Sequence, residues 1–293
     1  MQRHPLLPIA LLVLTNHLWT GAIMGQTAAE RGPGTTASDY RNEGNRCYDK
    51  RQFEKAMEWF RLAIKSKSDY AEAYNDLAMT LAALGRHKDA IEFLQEAIRL
   101  RPDFGPGYVN LGSEYYEIDE LKNAIRFLSE AVRLRPNNPV AFNNLGAAYS
   151  ASGRTREAIA AYEKATQLKP DWPEAARNLA LAEYQAGDDE PVIEHLQRAI
   201  SLKPNYMEAY NNLGVVYFEK GKYAEAIRSF QRAIEIKPDY ADAIYNLGVL
   251  KLAQRDRDQA IAQYQKLKTL GVPLAGVLYD ELYKGAILNL RKP

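Results

Sequence analysis

Residues 207–240 read MEAYNNLGVVYFEKGKYAEAIRSFQRAIEIKPDY, and this stretch of 34 residues returns along the chain in altered copies. Its phrase Tyr210-Asn-Asn-Leu-Gly has counterparts starting at Tyr74, Tyr108, Phe142 and Ile244, all separated by 34 residues or a multiple of 34. Self-similarity at a fixed period of this length is the signature of a repeat architecture. The sequence therefore predicts tandem copies of one small structural unit.

Seven such units fit without a gap over residues 37–274. They are 37–70, 71–104, 105–138, 139–172, 173–206, 207–240 and 241–274. The eighth residue of each unit is small: Gly44, Ala78, Gly112, Gly146, Ala180, Gly214 and Gly248. The twentieth residue is also small: Ala56, Ala90, Ala124, Ala158, Val192, Ala226 and Ala260. Five units have proline at their thirty-second residue: Pro102, Pro136, Pro170, Pro204 and Pro238.

Each unit is predicted to form two amphipathic helices joined by a turn. Within 88–100, apolar residues recur at the three- and four-residue spacing of a helix face: Ala90, Ile91, Leu94, Ala97 and Ile98. Small residues at the eighth and twentieth positions let the two helices cross closely, and the proline ends the second helix. Because one helix pair cannot bury its apolar face alone, the pairs must stack into a solenoid.

This pattern of glycine, alanine and proline resembles the tetratricopeptide repeat. The resemblance implies an all-α fold, a right-handed α-solenoid of seven tandem helix–turn–helix units in which the first helices line a concave groove. It also implies that the groove binds segments of other proteins. The repeats are similar to those in the superhelix of O-GlcNAc transferase, but the sequence shows no catalytic domain beside them.

The first 22 residues are typical of an export signal. Arg3 supplies the positive charge, Leu6–Leu14 form a short apolar run, and Thr20 and Ala22 are small residues suited to a cleavage site. The run is shorter than the roughly 20 residues that a membrane helix needs. We therefore expect a signal peptide over residues 1–22 and a periplasmic or extracellular protein, with an uncleaved anchor or a wrongly assigned start as alternatives.

The segments that flank the repeats have different compositions. Residues 23–36 contain several glycines without periodicity, which indicates a linker. Residues 275–293 are predicted to be a capping helix and tail, because Leu278, Leu282 and Ala286 lie four residues apart among polar side chains. Such a helix would cover the last repeat.

Charge and cysteine content narrow the classes of partner. The 293 residues include 38 Lys and Arg against 37 Asp and Glu, a formal net charge of +1. This balance provides no global field for nucleic acid or an anionic membrane, so we expect a protein or extended peptide as partner, and no integral membrane span. Cys47 is the single cysteine, so no internal disulfide forms.

No pattern in the sequence predicts catalysis, a metal site or a cofactor. The four histidines are His4, His17, His87 and His195, and none belongs to a metal-binding motif. Phosphate-binding, dinucleotide-binding and nucleophile-elbow motifs are absent from the sequence. Cys47 is interpreted as a packed thiol because no paired histidine accompanies it. We therefore expect a protein that is not an enzyme and uses neither metal nor cofactor.

The sixth residue of the units is the first candidate for the binding surface. Six of the seven are asparagine: Asn42, Asn110, Asn144, Asn178, Asn212 and Asn246. The resemblance places this position on the inner face, where an amide could both donate to and accept from the backbone of an extended peptide. Asp76 interrupts the row. The alternative is that these amides form hydrogen bonds within a helix or between repeats.

A second candidate is an apolar set near the C-terminal end of the groove: Val215, Phe218, Tyr245, Val249 and Leu252. These side chains are predicted either to form an anchor pocket for a partner or to pack between repeats.

The family also includes repeats that grip a terminal carboxylate with basic residues. Arg41 and Asn45 match the first pair of such a clamp, but Asp76 stands where asparagine is needed, and Pro106 and Asn110 stand where basic residues are needed. The clamp is therefore disfavoured.

The leading functional hypothesis is an exported, non-catalytic scaffold that binds protein segments in its groove. Two alternatives stay open: an accessory repeat subunit of a separately encoded enzyme, and a cell-envelope assembly factor that uses the convex face.

Overall fold

The computed structural model describes residues 36–187 and 189–290 of the chain, and within these ranges all regular structure is helical, with no strand. The helices are α1 Ala37–Asp49, α2 Phe53–Ser66, α3 Ala71–Ala83, α4 His87–Leu100, α5 Gly105–Glu117, α6 Leu121–Leu134, α7 Pro139–Ala151, α8 Thr155–Leu168, α9 Pro173–Ala186, α10 Asp189–Leu202, α11 Met207–Glu219, α12 Tyr223–Ile236, α13 Ala241–Ala253, α14 Arg257–Thr269 and α15 Leu274–Leu290. The predicted all-α class is confirmed.

The helices belong to two compact units. One contains α1–α8 and the described residues up to Lys169, and the other contains α9–α15 from Pro170 onward. Within each unit, an odd-numbered helix packs mainly on the even-numbered helix that follows it, and this pair then packs on the next pair. This is the consecutive helix-pair packing of a tetratricopeptide-repeat solenoid. Among the described residues, no helix combines the length and the apolar character needed to cross a membrane.

The small eighth and twentieth residues bring the two helices of a pair together, as predicted. A Cβ atom added to Gly214 on α11 would lie 2.5 Å from the ring of Phe230 on α12, so any larger residue would displace that ring. Ala226, the twentieth residue of the same repeat, has no exposed surface. Because interiors are packed at crystal-like density, these small residues determine how closely the helices approach.

Proline marks the ends of the second helices. Helix α4 ends at Leu100, two residues before Pro102, and α12 ends at Ile236, two residues before Pro238. Proline lacks a backbone N–H and clashes with the preceding turn, so the helix cannot continue through it.

The turn between the helices of each pair contains one residue in the left-handed region, at the fifteenth position of the repeat. Four of these residues are glycines: Gly85, Gly153, Gly187 and Gly221. The other three are Arg51, Asp119 and Arg255, with φ values of 56°, 61° and 63°. Left-handed backbone is unfavourable for a residue with a Cβ atom, so these three turns carry local strain.

Helix α15 completes the core of the last repeat. Leu278 and Leu282 are buried in a cluster with Ile244 of α13 and with Ala260 and Leu267 of α14. A Cβ atom on Gly248 would lie 2.7 Å from Leu278 Cδ2. A side chain from α15 thus occupies the space beside the small eighth residue of the last repeat.

Candidate functional site

Hydrogen bonds join the fifth residue of one repeat to the sixth residue of the next. In the unit that contains α1–α8, Asn110 donates from Nδ2 to Asn75 Oδ1 over 2.8 Å. In the unit that contains α9–α15, Asn246 donates in the same way to Asn211 Oδ1 over 2.9 Å. These bonds connect successive repeats, which agrees with the structural alternative for the asparagine row.

The remaining asparagines of the row differ in exposure. Asn144, Asn178 and Asn212 have relative exposures of 0%, 1% and 0%. Asn144 donates to Ser113 Oγ over 3.0 Å, whereas Asn42 on α1 is exposed to solvent. Because the three buried amides have almost no accessible surface, they lie outside the binding surface that we propose.

The apolar set near the C-terminal end is divided between two cores. Val215 is buried and Phe218 packs beside it, in a cluster with Phe230 of α12. Tyr245, Val249 and Leu252 instead pack on the cluster built around α15. Tyr245 also donates its hydroxyl to Glu281 Oε1 over 2.8 Å. In this arrangement the five side chains pack between helices, which agrees with the packing alternative.

An open groove lies in the other unit, across α1, α3, α5 and the start of α7. Its volume is about 300 Å³, at the lower end of the range for small-ligand pockets of ~300–1,000 Å³. Its main apolar lining consists of Tyr48, Met79, Phe104, Pro106, Val109 and Val140. We call this surface the N-terminal groove.

The three charged side chains that line the N-terminal groove all form ion pairs. Arg41 donates from Nε to Asp76 Oδ2 over 2.5 Å. Glu72 accepts from Arg101 Nη1 over 2.7 Å. Burial on its own would raise the pKa of Glu72, but hydrogen bonds from the backbone and from Arg101 outweigh burial and lower this pKa. Both carboxylates are therefore neutralised by arginines of the same unit.

Three amides of the groove keep hydrogen-bonding atoms available. No described residue bonds to the side chain of Asn45, and Asn110 uses its Nδ2 but not its Oδ1. Asn138 caps α7 through Oδ1, which accepts from the backbone N–H groups of Val140 and Ala141, so its Nδ2 stays available. The N-terminal groove thus offers both an acceptor and a donor beside an apolar floor.

This groove is not among the sites predicted from the sequence, although one signal of it is present. Helix α5 begins with Gly105-Pro106-Gly107, and the first three residues of no other repeat combine two glycines. A Cβ atom on Gly107 would lie 2.8 Å from Phe104 Cδ1, so the glycine lets Phe104, which lines the groove, pack closely against α5. Among the predictions from the sequence, Pro106 enters only as a mismatch to the carboxylate clamp.

Each of the two described histidines pairs with one glutamate. His87 pairs through Nδ1 with Glu114 Oε2 over 2.8 Å, and burial raises the pKa of Glu114. His195 pairs through Nδ1 with Glu183 Oε2, also over 2.8 Å. Among the residues that the structure describes, no group of three or more His, Cys, Asp or Glu side chains could hold a metal ion.

Cys47 is half-buried and packs against the core of the first two repeats. Burial raises the pKa of its thiol, and the charge of Glu43 adds to this effect. Since the thiolate is the reactive form, this environment disfavours a nucleophilic role and agrees with a packed thiol.

Comparison with protein families identifies the repeats. The family model described as "Cilia and flagella-associated protein 70 C-terminal domain", a tetratricopeptide-repeat model, matches residues 16–242. A second model, described as "Tetratricopeptide repeat", matches residues 217–269. The comparison with curated proteins gave no match.

Solved structures with the same fold include a chain of the APC/C hetero-tetramer Cut9-Hcn1, at 20% identity and a TM-score of 0.66. The match covers 74% of this chain but only 43% of that one. YrrB, described as a tetratricopeptide-repeat protein with an unusual peptide-binding site, is 22% identical with a TM-score of 0.54, over 64% of this chain and 96% of that one. A tetratricopeptide-repeat protein from Parabacteroides merdae is 19% identical with a TM-score of 0.65, over 86% and 98% of the two chains. At these identities the matches establish the fold.

Proposed function

Because the chain belongs to the tetratricopeptide-repeat family represented by the cilia and flagella-associated protein 70 C-terminal domain, we propose that it is a non-catalytic scaffold that binds segments of other proteins. The N-terminal groove is the proposed site. The observation that supports this assignment is an open volume of about 300 Å³ in which an apolar floor meets available amide atoms.

The groove has what an extended segment of protein requires. Each residue of such a segment brings a backbone N–H and a C=O that need partners when water is removed. Asn110 Oδ1 is available to accept, and Asn138 Nδ2 is available to donate. Met79 and Val109 line the same groove and supply apolar surface for a side chain of the segment. YrrB, with the same fold, is described as having a peptide-binding site, but the assignment here depends on this groove.

Site-specific crosslinking tests the proposal. A benzophenone amino acid in place of Pro106, which is exposed and lines the groove, is expected to crosslink the partner in extracts of the native host. The same amino acid in place of Lys122, which is exposed on the second helix α6, serves as the control. Crosslinks from position 122 alone would contradict groove binding and favour a scaffold that uses its outer face.

We also propose that the protein acts outside the cytoplasm. The support for this is the sequence pattern of residues 1–22, which lie outside the described residues. Export would place the N-terminal groove in contact with other exported or envelope proteins, and these are the partners that we propose.

A further inference from the structure

The state of the charges in the N-terminal groove restricts what it can bind. Arg41 neutralises Asp76, and Arg101 neutralises Glu72. Asp76 is only 7% exposed at its side chain, so a ligand cannot easily replace Arg41 as its partner. No charged residue among those that line the groove is left without an opposite charge.

We infer that the N-terminal groove selects an uncharged peptide segment that carries one large apolar side chain, and that it rejects segments with a charged residue or a terminal carboxylate at the contact. This inference depends on the proposed function and specifies the chemistry of its ligand.

The apolar part of the groove supplies the anchor. Met79 of α3 and Val109 of α5 are largely buried and face the cavity together with Phe104. A leucine, methionine or phenylalanine side chain placed among them would lose its contact with water, which is the dominant favourable term in such association.

The amides supply the polar partners around that anchor. Asn110 Oδ1 accepts a peptide N–H, Asn138 Nδ2 donates to a peptide C=O, and the amide of Asn45 can do either. The bond from Asn110 Nδ2 to Asn75 fixes the orientation of the Asn110 amide, so the acceptor is already positioned before the ligand binds.

A charged residue at the contact would lose hydration without gaining an opposite charge. Moving an ion out of water costs several kcal/mol unless it is paired. A carboxylate entering here would also meet Glu72 and Asp76, whereas an ammonium or guanidinium group would have to compete with Arg41 or Arg101. Both kinds of charge are therefore disfavoured relative to a neutral segment.

The test begins with a displayed library of random linear peptides, selected on the purified full chain. Enriched peptides are expected to share a short uncharged run with one large apolar residue. The affinity of a synthetic copy, measured by titration calorimetry, is expected to change less than about twofold between low and high salt, because screening acts on exposed charges.

Two matched variants locate the site. Asn110→Ala removes an acceptor from the groove. It is expected to lower the affinity for the selected peptide about two- to twelvefold, which is the range for one neutral hydrogen bond. Asn246→Ala breaks the same type of inter-repeat bond in the other unit and is expected to leave the affinity unchanged. The comparison separates loss of binding from general loss of stability.

Two results would contradict different claims. If the enriched peptides share an acidic or basic residue and lose affinity in high salt, the inference of a neutral ligand is wrong while groove binding survives. If Asn110→Ala, and also Pro106→Glu at the exposed rim, leave every selected peptide bound as tightly as before, the groove is not the site and the proposed function fails with the inference.

Discussion

Arg41 of α1 donates a hydrogen bond from Nε to Oδ2 of Asp76 of α3 over 2.5 Å, which joins the first repeat to the second through an ion pair with one largely buried partner. A hydrogen bond to a charged group contributes about 1.5–3 kcal/mol to the free energy of unfolding, which is more than a bond between neutral groups contributes. The Arg41 side chain is 26% exposed, so solvent screening reduces that contribution.

The first prediction is that Asp76→Asn lowers the free energy of unfolding by about 1–2 kcal/mol, because Arg41 loses its counter-charge at a largely buried position. Urea denaturation followed by circular dichroism measures the change. The control is Glu72→Gln. Both side chains of the Glu72–Arg101 pair are about a third exposed, so its loss is expected to lower the free energy of unfolding by less. Equal losses for the two variants would contradict this ranking.

The second prediction concerns Arg177, which stands at the same position of the fifth repeat as Arg41 of the first. Arg177 is 3% exposed and its Nε has no hydrogen-bond partner among the described residues. Asn212, in the position of Asp76, is fully buried with neither Oδ1 nor Nδ2 hydrogen-bonded. Asn212→Asp would reproduce the charge pairing of the first two repeats, so we expect it to raise the free energy of unfolding by about 1 kcal/mol or more.

A double-mutant cycle tests that explanation of Arg177. In an Arg177→Met background, Asn212→Asp would bury an unpaired carboxylate and should be destabilising. The same effect of Asn212→Asp in both backgrounds would show that the two side chains do not interact.

The third prediction uses the strained turns. Arg51→Gly and Arg255→Gly are each expected to raise the free energy of unfolding by about 0.5–1 kcal/mol, since glycine has no Cβ penalty at positive φ. Asp119→Gly should raise the free energy of unfolding by less, because aspartate tolerates the left-handed conformation better than arginine does. Gly153→Ala, in the equivalent turn, should instead destabilise. Thermal melts of the four variants provide the measurement, and a gain from Gly153→Ala would overturn the argument.

The fourth prediction concerns pH. The hydrogen bond to Glu183 is the main cause that raises the pKa of His195 above its usual value of 6.5. Because the pKa is higher in the folded state than in the unfolded state, the pair contributes its full stabilisation below the unfolded value of about 6.5. This contribution is lost as the pH rises through the folded-state pKa. The stability difference between the wild type and His195→Gln should therefore be largest near pH 6 and shrink at alkaline pH.

Chemical denaturation of both proteins at several pH values measures that difference. His87 and Glu114 are present in both proteins, so their titration cancels in the comparison. A difference that stays constant from acid to alkaline pH would show that His195 contributes by packing alone.

The fifth prediction concerns export. Intact mass spectrometry of protein secreted by a native-like host should show the loss of residues 1–22 or a cut close to Ala22, because Arg3 and the apolar run Leu6–Leu14 are typical of a cleaved signal. Replacing Leu11 and Leu12 by aspartate should abolish secretion. A full-length cytosolic product from the unaltered gene would contradict the proposal.

The fold was predictable because its determinants are local and repeated. Gly214 and Ala226 each mark a close helix contact, and Pro238 marks a helix end, at the same register in successive repeats. A pattern with several copies shows its period even where single residues depart from it.

The site was less predictable because exposure depends on contacts between repeats. Asn110 and Asn212 occupy the same register, yet the first borders an open groove and the second has no accessible surface. Tyr245 and Val215 looked equivalent as apolar groove residues, but the position of α15 assigns them to different cores. These differences arise from neighbouring side chains that the 34-residue period does not specify.

The packing of Leu278 against the last repeat restricts how this array can change in length. Duplicating a 34-residue segment within the array reproduces contacts that already exist between neighbouring repeats. A copy of another repeat inserted directly before α15 would still offer Leu278 a small eighth residue. Its twenty-seventh residue would be alanine, however, whereas the last repeat has Leu267, which is buried in the same cluster as Leu278, so part of that core would be left unfilled. Gene duplication in this family member is therefore expected to add or remove repeats internally, while the last repeat and α15 are inherited together as a single block.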